Sequence, residues 1–225
     1  VYAIVALIDN SSSMTKQYNY FVGIDPGLSG AISVIGASGD IEIYDMPVLK
    51  IPNPNPKAKS KTKNDIDIIS LVDIFDKLSG DVIVYIEKVH SMPGQGNVSM
   101  FNFGVGYGIY KGIIRSKKFD MVEVSPQTWK KYFSSDLETD ETSDLKAQLS
   151  DLRKKKKTLK GSEEKKANKK EQDKLNSQVK AIAKDRARVV ASLKFASNKD
   201  QFKLKKHDGR ADSALIALCC FENEK

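Results

Sequence analysis

The chain has 225 residues, 40% of them apolar, enough for one good-sized domain with an ordinary core. Its formal net charge of +8 favours a polyanionic partner, nucleic acid ahead of an anionic membrane. The only cysteines are the adjacent Cys219 and Cys220 and the only histidines are His90 and His207, which argues against a disulfide framework or a structural zinc site. A reducing compartment follows from that cysteine usage. The apolar run at 1–8 is too short to span a bilayer and lacks the basic flank of a signal peptide. These features describe a soluble, intracellular protein of cytoplasm or nucleoid, or of a plastid or mitochondrion if a transit peptide has been removed.

Residues 1–19 end in a polar, Ser-rich stretch read as a leader or linker. Strands are predicted at Tyr20–Asp25, Gly30–Gly36 and Asp40–Tyr44, with glycines between them at the tight spacing of an antiparallel meander. Pro47, Pro52, Pro54 and Pro56 predict a stiff extended crossing, and Lys57–Lys63 a basic loop. Asn64 or Asp65 is placed to cap a helix carrying Ile68, Leu71, Val72, Phe75 and Leu78 at 3.6-residue spacing. Val82–Glu87 is a β-branched run of the kind buried on both faces of a sheet, so it reads as an inner parallel strand.

A long helix is predicted over Val98–Lys117, with Gly104, Gly108 and Gly112 on one bare stripe. Three glycines cost a helix about 3 kcal/mol relative to alanine, so close approach by the sheet or another helix is expected there. Met121–Val124 is a short strand, and Pro126 opens a further helix. Residues 134–183 then turn strongly basic, with thin apolar sets at Leu145, Leu149, Leu152, Leu159 and at Leu175, Val179, Ile182. That pattern fits a projecting two-helix hairpin or a disordered arm. Amphipathic helices at Asp185–Ala196 and Asp208–Phe221 close the chain.

Four acids stand at the tips of otherwise apolar elements: Asp25, Glu87, Asp208 and Asp212. Asp208 and Asp212 are four apart, on one helix face. Converging carboxylates repel unless divalent cations neutralise them, and an all-oxygen donor set suits Mg²⁺, with Mn²⁺ as a substitute. Two such ions about 4 Å apart activate water and stabilise the leaving oxygen in phosphodiester displacement. Joined to the basic surface, this predicts a metal-dependent nuclease.

The segments GIDPGLSGA (23–31), VYIEKV (84–89), MPGQGNVSMFNFGVGYGIYKGII (92–114), VSPQTWK (124–130) and DGRADSALIA (208–217) resemble the RuvC branch of the RNase H-like fold, the Holliday junction resolvases, in their phage and organellar form. The resemblance covers nearly all of 20–133 and 184–221. It implies an α/β RNase H-like fold with a five-stranded mixed sheet, three strands antiparallel and two parallel, flanked by helices, into which 134–183 is inserted. By position it makes Asp25 and Glu87 the first two metal ligands and Asp212 the terminal acid, with Asp208 or His207 as the fourth group. Lys130 matches a lysine near the scissile phosphate, and Lys184 or Arg186 a second basic residue. His90 stands where the family carries a junction-wedging aromatic.

The resemblance further implies a homodimer joined through the glycine-striped helix, because paired nicks across a four-way DNA junction need two sites related by a two-fold axis. The expected activity is a crossover junction endodeoxyribonuclease. Its alternatives are a broader RuvC-like nuclease acting on forks, flaps or replicating DNA, and a junction-binding protein with weak or lost catalysis. A sugar-kinase or actin-type ATPase would need a second phosphate-binding hairpin and a longer chain.

Overall fold

The computed structural model describes residues 16–54, 57, 59–89 and 96–225. Its centre is a five-stranded sheet made of β1 (Tyr20–Asp25), β2 (Ala31–Gly36), β3 (Ile41–Asp45), β6 (Val82–Glu87) and β7 (Asp120–Val124), in the order β3-β2-β1-β6-β7. The first three pair antiparallel, while β6 lies parallel to β1 and β7 parallel to β6. The expected mixed sheet of three antiparallel and two parallel strands, flanked by helices, is therefore present.

Both faces of the sheet are covered, as the unbroken apolar runs of β1 and β6 require. On one face Val22, Ile24, Val84 and Ile86 pack with α1 (Ile68–Asp76) and α2 (Asn97–Ser116). On the other, Phe21, Ile83 and Tyr85 pack with the terminal helix α7 (Asp208–Glu224) and with Trp129 of α3 (Pro126–Tyr132). Side chains alternate between faces along a strand, so Gly23 and Asp25, and likewise Glu87, belong to the α7 side.

Helix α7 lies unusually close to β1. A Cβ built on Gly23 would stand 2.2 Å from the Ala217 amide nitrogen and 2.3 Å from the Ser213 carbonyl oxygen. At the start of α7, a Cβ on Gly209 would stand 2.6 Å from the Ser29 carbonyl oxygen, in the β1–β2 turn. The buried Ser33 and Ser213 hydroxyls are 2.7 Å apart and fix the same contact from β2. These bare positions set where the first turns of α7 meet the tip of β1.

Several expectations need correction. The proline-rich crossing and basic loop are flanked by a second, two-stranded sheet, β4 (Val48–Pro52) against β5 (Thr62–Ile66). Backbone pairing forms this hairpin although its sequence carries prolines and lysines in place of an apolar alternation. Helix α1 is capped by Asp67, whose carboxylate accepts from the Ser70 amide at 3.2 Å, because Asp65 belongs to β5. The described end of the leader is fastened to the sheet: Lys16 pairs with Asp81 and Asp120, Tyr18 donates to Asp120, and the Asp81 amide donates to Asn19.

The inserted segment is helical. After the short α4 (Ser134–Leu137), α5 (Asp140–Thr158) and α6 (Ser162–Lys194) form an antiparallel hairpin with Leu149 and Leu175 buried in its seam. Thr139 caps α5 in a reciprocal box with Thr142. Helix α6 is continuous for 33 residues, so the helix expected to begin at Asp185 is the far end of the arm itself. The helix runs through 183/184 without a break, and its Ala187, Val190 and Ala191 belong to the core.

Among the described residues no helix is long and apolar enough to cross a membrane. Cys219 and Cys220 are both free and buried in α7.

Candidate active site

Asp25 ends β1 and Glu87 ends the parallel neighbour β6, whose register pairs Ile24 with Ile86. The two acids therefore occupy neighbouring positions at one end of the sheet, on the α7 face. Asp212 reaches the same place from the second turn of α7. The three are electrostatically coupled: burial raises the Asp25 carboxyl well above its ordinary value, and the Asp212 and Glu87 charges raise it further. Asp212 is pushed up to about 6, chiefly by burial, with Glu87 and Asp208 adding repulsion. Lys130 and Lys184 act on both aspartates in the opposite sense.

Glu87 is held by a residue that the sequence motif contains but that received no role there. The Trp129 indole Nε1 donates to Glu87 Oε2 at 2.7 Å, and Trp129 is completely buried. Lys130 follows it on α3, with its ammonium 4.9 Å from the Trp129 ring centroid. One tryptophan thus orients the acid and backs the adjacent base.

Gly27 turns the chain after Asp25 with φ of +130°, a conformation side chains disfavour. Against this turn lies Tyr110 of α2, only 1% exposed. Its hydroxyl has no hydrogen-bond partner among the described residues, though it faces the Gly27 backbone and feels the Asp25 charge.

Asp208 sits differently. Lys184 Nζ is 3.0 Å from one of its oxygens, and Arg188 pairs with the other. Asp208 adds to the repulsion on Asp212, but its own charge is countered by two cations. His207 is buried in the 3₁₀ turn before α7, where its Nδ1 accepts from the Leu204 amide at 3.3 Å. Burial lowers its pKa, and its charged neighbours are Arg210, Lys206, Asp45 and Arg188, none of them an acid of the Asp25 cluster. Arg186 donates from Nε to the Asp136 carbonyl at 2.5 Å and ties α6 to α4. Of the two basic candidates there, Lys184 is the one that acts on Asp25 and Asp212. His90 lies outside the described residues.

A third strand-end acid is not among the candidates that the sequence offers. Asp45 ends β3 on the same face, where Arg210 of α7 grips it through Nε at 2.5 Å and Nη2 at 2.6 Å. That grip holds Asp45 below the ordinary carboxylate range. Its signal in the sequence was slight: one acid after an alternating strand, with its partner 165 residues away. The contrast with Asp25 is instructive, since the protein supplies Asp45 with a bidentate arginine and leaves Asp25 among repelling acids.

Among the described residues, no three His, Cys, Asp or Glu side chains are already gathered at metal-ligand distances. The donor chemistry nevertheless fits a hard divalent cation: Asp25, Glu87 and Asp212 offer only oxygen, and two of them carry a desolvation and repulsion cost that a cation would offset.

Beside Asp212 opens a cleft of about 770 Å³ between α3 and α4 on one side and α5 and α6 on the other. Lys130 and Lys184 stand at its edge with Asp212, so the arm forms one wall of the approach to the acids.

The glycine stripe of α2 does not meet the sheet. Among the described residues nothing comes within 4 Å of a Cβ built on Gly104, Gly108 or Gly112, and the close approach is made by Gly106 instead, where a Cβ would lie 2.9 Å from Ile66 Cδ1. Val98, Phe101 and Val105 of the same helix are also exposed.

No protein-family model matches the chain, and no curated protein matches it.

Proposed function

We propose that the chain is a divalent-metal-dependent, structure-selective endodeoxyribonuclease of the RuvC-like, RNase H-like kind, cutting four-way DNA junctions by paired nicks. The observation that carries this reading is the convergence of Asp25, Glu87 and Asp212 from β1, β6 and α7 onto one sheet end, beside Lys130 and Lys184. A structural role rarely leaves desolvated acids repelling one another, and metal-dependent phosphodiester chemistry requires such a cluster. The mixed sheet and the position of its parallel strands agree with the motif resemblance.

Asp25, Glu87 and Asp212 would hold the Mg²⁺ or Mn²⁺ ions, with Asp208 beside them. Such ions supply an activated water and charge stabilisation at the leaving oxygen. Trp129 keeps Glu87 in place by its indole hydrogen bond. Lys130 and Lys184 offer their ammonium groups to the non-bridging phosphate oxygens, whose negative charge grows during displacement. When a phosphate competes for Lys184, Arg188 remains on Asp208 and keeps that carboxylate partnered.

Paired nicks call for two copies of the site, and the outward stripe of α2 with its exposed Phe101 is the surface we assign to the second chain. Helix backbones approach closely only across such bare positions.

The test is a substrate panel with Mg²⁺: a synthetic four-way junction, a Y-fork, a flap and a plain duplex. Symmetric nicks on opposite strands of the junction, at a rate well above that on the other three, are the expected result. Equal cutting of fork and flap would assign the site to a broader nuclease of the same chemistry. Binding to the junction without cleavage in Mg²⁺ or Mn²⁺ would overturn the catalytic reading.

A further inference from the structure

The cleft beside Asp212 has a composition that phosphate binding alone does not explain. Its floor is aliphatic, formed by Leu137 of α4 with Val179, Ala183 and Ala187 of α6. Its rim carries Lys131 and Lys180, both exposed and both without an ion-pair partner among the described residues. Lys146, also on the wall, is already paired with Glu138 at 2.9 Å. The cleft therefore joins free positive charge at the rim to an apolar surface below.

A paired duplex presents charged sugar-phosphate to such a surface and would strand it against the apolar floor. A nucleotide outside the base stack presents both halves of the match: a phosphate for the lysines and a base face for the aliphatic floor. The cleft's size suits a group of that order. Trp129 also lines the cleft but is fully buried and hydrogen-bonded to Glu87, so the aliphatic floor is the surface we assign to the base.

We infer that this cleft, walled by the inserted arm, binds an unpaired nucleotide next to the cutting site, so that the enzyme selects DNA with disrupted pairing beside the scissile phosphate. The inference rests on the nuclease reading only for the identity of the polyanion. It gives the insertion a role in substrate selection: α6 runs unbroken from the arm into the core, so a nucleotide held at Ala183 is fixed relative to Asp212.

Fluorescence anisotropy without divalent metal tests this apart from catalysis. The probes are a fully paired duplex and the same duplex with a short unpaired bubble. Wild type is compared with Ala183→Glu, which fills the floor at an exposed helical position that tolerates glutamate, and with the double variant Lys131→Gln, Lys180→Gln. The double variant Lys166→Gln, Lys170→Gln, nearer the α5–α6 turn, removes equal charge away from the cleft. Far-UV circular dichroism confirms that each variant is folded.

Wild type should bind the bubble about tenfold or more tighter than the duplex, the contribution of one base contact. Ala183→Glu and the Lys131/Lys180 variant should lose that preference, and the Lys166/Lys170 variant should keep it. Equal binding of both probes by wild type, or a preference that survives in Ala183→Glu, would overturn the inference. Because no cleavage is scored, failure of the nuclease reading would show separately, as persistent cutting by an Asp25→Asn variant.

Discussion

The sheet end and the inserted arm both concentrate charge, and they handle it in opposite ways. At the sheet end, Asp25 and Asp212 sit among apolar strands and an apolar helix, so their ionised forms are desolvated and repel. On the arm, the lysines of α5 and α6 project into solvent from helices joined by a thin seam. The acids cost stability where they are, while the lysines cost almost nothing. A fold tolerates the first arrangement when the site needs it. The second needs only helix propensity, caps and a few seam contacts.

The contrast can be broken most violently at Gly23. Replacing it with Ala drives a Cβ into the α7 backbone, and the body should lose more than about 3 kcal/mol of stability, read as a lowered denaturant midpoint. Such a variant should lose the Asp212 placement along with its stability.

The arm should yield more gently. Leu175→Ala removes a seam side chain 9% exposed and should cost about 2 kcal/mol. Hydrogen exchange should show the loss in α5 and the outer half of α6, with the sheet amides unchanged. Uniform loss across the molecule would show that arm and body melt as one unit.

Trp129→Phe separates orientation from packing at the acids. It keeps an aromatic in the core and deletes the 2.7 Å bond to Glu87. Cleavage should fall about 10- to 100-fold, as for loss of a group that orients a metal ligand. The Mg²⁺ concentration for half-maximal rate should rise, a change that loss of packing alone would not produce.

The smallest effect belongs to the solvated charges. Lys166→Gln with Lys170→Gln should leave the melting midpoint unchanged. It should lower the slope of log binding constant against log salt by about one for each phosphate contact removed.

The same contrast explains what the sequence made legible. Strands β1, β2 and β6 were readable because each is an apolar run bounded by glycine or an acid, and their tips carried Asp25 and Glu87. Helix α7 was readable from its apolar residues, and Asp212 from its spacing. The hairpin β4–β5 was hidden because its pairing is backbone to backbone, with prolines and lysines in the side-chain pattern. The continuity of α6 was hidden because its apolar positions thin out between Ile182 and Ala187, where solvated residues carry the helix onward. In the arm, sequence supplied Leu149 and Leu175 but not Asn168, which is buried and donates to the Leu152 carbonyl at 3.2 Å. Polar clamps of that kind have no periodicity to announce them.

At the site, the sequence set Asp25, Glu87 and Asp212 apart from a fourth group shared between Asp208 and His207, and the structure distinguishes the acids by their neighbours. Asp208 is ion-paired with Lys184 and Arg188, while for Asp25 and Asp212 the Lys130 and Lys184 charges only partly offset burial and the repulsion of neighbouring acids. Asp45 looked like an ordinary strand end until Arg210 was brought to it from the opposite end of the chain. Long-range partners decide which carboxylates are available, and no local spacing encodes them.

The central claim is that the repelling acids at the sheet end exist to hold divalent cations for phosphodiester cleavage. An Asp25→Asn variant on a synthetic four-way junction with Mg²⁺ tests it most directly, with the melting midpoint recorded alongside. Cutting should fall at least about 1000-fold, a loss of the size expected when a ligand of the catalytic metals is removed. The metal-free variant should melt higher than wild type, because a buried repulsion has been relieved. Wild-type cutting by that variant would contradict the account.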